Sequence, residues 1–138
     1  MEQETLHGSC LCGTVTYRIT GPFRLFQYCH CSRCRKITGS AFSPNIFVKP
    51  SNFQWSSGED QVGRYEVPEA KYYTTSFCKQ CGSTLPWSVK TSVNVVVPAG
   101  TLDESPAIQP AQNIYWGSRA GWYQHPDTLQ YFDHSPHK

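Results

Sequence analysis

Seven cysteines are the residues in this chain most able to do chemistry, and they fall into three clusters: Cys10-x-Cys12, Cys29-x-Cys31-x-x-Cys34 and Cys78-x-x-Cys81. Two or three thiols so close in sequence can converge on one small cation across a tight turn. Within a cluster they pair as disulfides only with strain. Zinc is the default metal for thiolate sets of this kind. An odd count and an opening, MEQETLHG, with two acids and no apolar run lead us to expect no secretion signal, no disulfide framework and a reducing, cytoplasmic setting.

Seven ligands do not make two closed four-ligand sites, so one set of four and one of three is the natural division. Cys12 precedes Gly13 and Cys81 precedes Gly82, whereas Cys34 precedes Arg35 and Lys36. A glycine there lets the turn take a positive φ and aim its N–H groups at the sulfurs. On that argument Cys10, Cys12, Cys78 and Cys81 form one closed set, which ties the N-terminal strand to the middle of the chain. A plain zinc ribbon joining Cys31 and Cys34 with Cys78 and Cys81 is the competing arrangement.

Cys29, Cys31 and Cys34 then remain as a three-thiolate set with an open fourth position, the way catalytic zinc is built. Three thiolates leave one net negative charge on the centre. Such a zinc is a poor Lewis acid and a poor source of hydroxide, but it suits an exchangeable thiolate from a substrate, with Arg35 and Lys36 offsetting the charge. A blander alternative has His30 or His7 closing the set into a second structural site. His30, between two ligands, is expected to point away.

The elements that must carry these residues read as mostly β. Residues 14–20 alternate apolar and polar, a half-buried strand ended by Gly21-Pro22. Further strands are expected at 45–49, 62–67, 71–77 and 92–97, with shorter ones at 113–116 and 129–132. No window carries a long amphipathic helix, although one or two helical turns over 32–37 would set Cys34 near a helix N-terminus that favours thiolate. Trp55, Trp87, Trp116, Trp122, Tyr72 and Tyr73 are read chiefly as core, with a minority lining a cleft by the metal. Asp103 and Glu104 read as solvated turn residues.

Apolar residues make up 38 % of the 138, aromatics 14 %, and the formal charge is +2. This allows one metal-stapled domain. No apolar stretch nears the roughly 18 residues a membrane span needs. The Arg-aromatic interleaving of YWGSRAGWY hints at single-stranded nucleic acid, but the near-neutral charge and lack of a basic run argue against it.

The segments GSCLCGTVTY, YCHCSRCRKITGSAF and FCKQCGSTLPW, with WSSGED, PAGTLDE and NIYWGSRAGW, resemble the glutathione-dependent formaldehyde-activating enzymes, a family that includes centromere-protein-V-like proteins. The resemblance spans 5–134 and is taken as one domain. It implies several antiparallel sheets, similar to a zinc-containing chaperone of small Rab GTPases. It also implies two zincs, a structural one on Cys10, Cys12, Cys78 and Cys81 and a labile catalytic one on Cys29, Cys31 and Cys34. The implied partner is a small-molecule thiol such as glutathione, and the implied chemistry is of the carbon–sulfur lyase type, forming S-hydroxymethylglutathione. Asn113 stands where many relatives carry a histidine. The alternative from another class is a non-catalytic zinc module binding a protein or nucleic acid. An open cleft or an added protein ligand beside Cys29, Cys31 and Cys34 separates the two. The sequence does not give the oligomeric state.

Overall fold

The computed structural model describes residues 4–91 and 93–136. Eleven strands and one α-helix are present among them: β1 Thr5–Ser9, β2 Thr16–Thr20, β3 Leu25–Cys29, α1 Ser32–Thr38, β4 Ser43–Val48, β5 Phe53–Ser57, β6 Val62–Glu66, β7 Thr74–Cys78, β8 Thr84–Leu85, β9 Trp87–Ser88, β10 Val95–Pro98 and β11 Gln112–Ile114. They make three sheets, β1-β2-β5, β11-β3-β4-β10-β9 and β6-β7-β8. Every pair is antiparallel except β11 beside β3, where the chain returns from β10 to run alongside β3.

Alternation decides which side of the central sheet is core. Phe26, Ile46, Val48, Val95 and Val97 point one way, onto Leu6, Tyr17 and Ile19 of the first sheet, and all are buried. Gly8 in β1 is required by this packing. A Cβ there would sit 2.1 Å from the Tyr17 ring, which lies across it in register. Tyr17 is wholly buried, and its hydroxyl is 2.6 Å from Thr101 Oγ1.

Strands expected from alternation are found at β2, β4, β6, β7, β10 and β11, with shifted ends. The expectation over 92–97 includes Ser92, which lies outside the described residues. Residues 71–73 form a turn ahead of β7, and β11 stops at Ile114 because Tyr115 takes the left-handed conformation (φ 54°). No strand forms at 129–132. Tyr131 and Phe132 are exposed there and pair with no sheet edge, so an apolar run alone does not make a strand. Strands β1, β3, β5 and the two-residue β8 and β9 escaped the sequence reading: β1 is interrupted by a glycine, and β3 ends inside the cysteine motif. Among the described residues no helix is long and apolar enough to cross a membrane.

Candidate metal centres and the adjoining cavity

The fold gathers the seven thiols into two sets, Cys10/Cys12/Cys78/Cys81 and Cys29/Cys31/Cys34. Within each, the sulfurs lie within 4.8 Å of one another. All seven are free of disulfides. The ribbon arrangement is thereby corrected: Cys31 and Cys34 lie in a different set from Cys78 and Cys81. Neither His30 nor His7 joins a set.

The four-thiol set is built from two matching loops. The Gly13 N–H donates to Cys10 O at 3.0 Å, and the Gly82 N–H donates to Cys78 O at 2.8 Å. Both glycines hold positive φ, 80° and 78°, which closes each loop under its sulfurs as the spacing required. The Leu11 N–H donates to Ser83 Oγ at 2.9 Å, which locks one loop to the other. Cys10 and Cys12 sulfurs are 3.7 Å apart, and Cys12 and Cys78 sulfurs 3.9 Å. Four sulfurs each about 2.3 Å from a tetrahedral zinc stand about 3.8 Å apart, so these residues fit that ion. Hydrogen bonding also favours charge on two of the sulfurs, those of Cys12 and Cys81. Ser83 brings the Cys81 thiol down to about 5, and Thr14 lowers that of Cys12.

The three-thiol set comes from one short segment. Cys29 ends β3, Cys31 is the N-cap of α1, and Cys34 is buried in its first turn. The Cys34 N–H donates to Cys31 Sγ at 3.3 Å, the usual role of an N-cap side chain. Charge in the trio is favoured at Cys31. Hydrogen bonds from Cys29, then Cys34, then the backbone hold it down to about 2, while Cys29 and Cys31 push Cys34 up and Cys31 pushes Cys29 up. The neighbouring thiols, and after them the backbone N–H groups at the start of α1, favour charge at Cys31. Three sulfurs within 4.8 Å of one another are a donor set whose protons a cation can replace, so this set too could hold zinc.

Beside it lies a cavity of about 530 Å³ onto which Cys29 and Cys34 open, together with Arg33, Lys71, Tyr72, Tyr73 and Trp87. The Tyr73 hydroxyl donates to Cys34 Sγ at 3.2 Å, and its ring stands against Trp87 at 5.1 Å. Lys90 fixes the loop bearing Tyr73. Its ammonium donates to Val67 O and Ala70 O, each at 2.6 Å, and its N–H to Tyr72 O at 3.1 Å. Arg33 is the helix cation lining this cavity; Arg35 and Lys36, singled out from sequence, do not line it. Arg33, Lys90 and the strained Tyr115 carried no sequence signal. Their roles come from long-range packing.

His30 does point away from the sulfurs. It is wholly buried among Trp116 (4.9 Å), Phe42 (5.2 Å) and Tyr123 (5.5 Å), with Nε2 at 2.9 Å from Asn113 Oδ1. Arg119 stacks on the Trp116 ring at 4.5 Å, so the Arg-aromatic interleaving is spent within the fold. Trp122 and Tyr72 are more exposed than a core role requires. Asp103 and Glu104 brace β1. Asp103 accepts from Ser9 Oγ at 2.8 Å, and Glu104 from the His7 N–H at 2.7 Å, which lowers the Glu104 carboxyl.

The sequence model of the glutathione-dependent formaldehyde-activating enzymes matches residues 5–118. The chain belongs to this family. Both cysteine sets, and the β-strands that present them, lie inside the matched region. No curated protein matches the chain. Among solved structures, the crystal structure of a Rhodobacter sphaeroides protein, a structural-genomics target, superposes with a TM-score of 0.62 at 18 % identity, covering 78 % of this chain and 98 % of that one. At that identity the likeness is one of fold. The family membership gives the thiol sets a glutathione-related setting.

Proposed function

We propose that this chain is a zinc-dependent enzyme of the carbon–sulfur lyase type, acting on the adduct of glutathione or another small thiol with a small aldehyde. The observation that carries this reading is the three-thiol set: among the described residues no fourth protein ligand joins Cys29, Cys31 and Cys34, and two of the three open onto a ligand-sized cavity. A non-catalytic module closes its metal with its own side chains, so the open set favours an enzyme. In this reading Cys10, Cys12, Cys78 and Cys81 hold a structural zinc, and Cys29, Cys31 and Cys34 hold a labile one. The labile zinc would supply an electrophilic point that keeps a substrate sulfur deprotonated. We take 5–134 as one domain, supported by Tyr123 and the buried Ala120 beyond the matched region packing back onto the fold. A cytoplasmic setting follows from the need to keep seven thiols reduced.

The chain's own residues then divide the work. Tyr73 holds Cys34 in place through its hydroxyl. Arg33 and Lys71 give the cavity positive charge for the carboxylates of an anionic thiol such as glutathione. The walls hold thiol sulfur and carbonyl carbon together, so that the sulfur adds to the carbon, the C=O π bond breaks onto oxygen, and the proton the thiol released ends on that oxygen.

Exchange spectroscopy tests this. Glutathione is mixed with ¹³C-formaldehyde and, in parallel, with larger aldehydes, and the interconversion of free aldehyde and hemithioacetal is followed by NMR. We expect the metal-loaded protein to accelerate exchange for at least one aldehyde and Cys34→Ser to abolish the gain. Exchange at the spontaneous rate for every aldehyde would reject the enzyme reading.

A further inference from the structure

The floor of the cavity is one face of the five-stranded sheet, and strand register grades that face chemically. At one end Cys29 pairs with Ile114. Two residues back along β3, Gln27 stands opposite Asn45. Two residues further, the row runs Leu25, Phe47, Val96, Trp87 across β3, β4, β10 and β9. Cys29, Gln27, Asn45, Phe47, Val96 and Trp87 all line the cavity. At about 3.4 Å per residue, the apolar row lies about 14 Å along the strand from Cys29.

The middle row is polar and oriented. Gln27 and Asn45 are 7 % and 5 % exposed, so both are more than nine-tenths buried. Their oxygens are engaged: Gln112 Nε2 donates to Gln27 Oε1 at 2.7 Å, and Ser43 Oγ donates to Asn45 Oδ1 at 2.8 Å. Neither amide NH₂ has an acceptor among the described residues. Both residues line the cavity, where their NH₂ groups are accessible and can donate to a ligand oxygen. Among the described residues no carboxylate lines the cavity.

Resting on the thiol-adduct reading, we infer that the aldehyde partner carries an apolar group of alkyl-chain or aryl size, and that Gln27 and Asn45 bind its oxygen. In the adduct the sulfur sits at the cysteine end, the oxygen that received the thiol proton accepts from the two amides, and the substituent covers Phe47, Val96 and Trp87. Formaldehyde has no substituent for that row and leaves it bare.

Stable thioethers test this without turnover. The zinc-loaded protein is titrated calorimetrically with S-methylglutathione and with S-benzylglutathione, which differ only in the apolar group. Burying a phenyl ring against the apolar row should make the benzyl compound bind at least tenfold tighter. Trp87→Ala should bring the ratio to within about threefold; should that variant not fold, the wild-type ratio decides alone. Equal affinities would overturn the inference and leave the thiol reading standing. Binding of neither compound would overturn the thiol reading, and the inference with it.

Discussion

Single side chains in this protein act through what their neighbours leave them. Charge is favoured at Cys31 because Cys29, Cys34 and the backbone at the start of α1 donate to it, while Cys34, one turn away, is pushed up by Cys29 and Cys31. The two thiol sets should therefore respond differently to loss of one member. Cys81→Ser opens the set that joins two distant loops, and we expect aggregation or loss of a cooperative melt. Cys34→Ser should leave a folded protein carrying one zinc; circular dichroism with metal analysis separates the two outcomes. Tyr17 gives a prediction in pH. Burial raises its phenol above the usual 10, so the folded state holds that proton more tightly than the unfolded chain. Its contribution is full below pH 10 and fades as pH rises toward the raised value. Tyr17→Phe should cost about 1 kcal/mol at pH 7, through the lost bond to Thr101. Above pH 10 the melting temperature of the wild type should fall faster than that of the variant.

At the scale of elements, what was legible in the sequence was local. Gly13 and Gly82 announced two matching thiol loops because a positive φ is a one-residue requirement, and they picked out the four thiols the fold brings together. The helical turns expected over 32–37 are found as α1, Ser32–Thr38. The cavity was not, because its floor is assembled from β3, β4, β9, β10 and β11, whose pairing spans the whole chain. Gln27 and Asn45 look like ordinary strand polar residues until register sets them side by side. Lys90 is the same case. A lysine after a strand reads as solvent-facing, yet it holds the loop that carries Tyr73 over the thiols. Lys90→Met should lower stability by about 1.5–3 kcal/mol, the usual worth of hydrogen bonds from a charged donor. Amide exchange in 67–73 should quicken more than in the sheets. Uniform quickening would show that the lysine acts on the whole fold rather than on this loop.

The whole molecule sets the two thiol groups on unequal tethers. Cys10, Cys12, Cys78 and Cys81 join the loop after β1 to the loop after β7, and so tie the first sheet to the third. Cys29, Cys31 and Cys34 belong to one short segment, whose strand and helix are held by other contacts. Removing a metal from the first therefore breaks tertiary structure, and removing one from the second breaks little. The central claim, one closed structural centre and one open centre that takes a thiol, is tested most directly by zinc release into a colorimetric chelator, followed in time with and without glutathione. The account predicts two phases, one zinc leaving quickly and one only with unfolding, and a fast phase slowed by glutathione because a ligand bound only to the metal-loaded state stabilises it. Two zincs leaving at one rate, or a fast phase indifferent to glutathione, would contradict it.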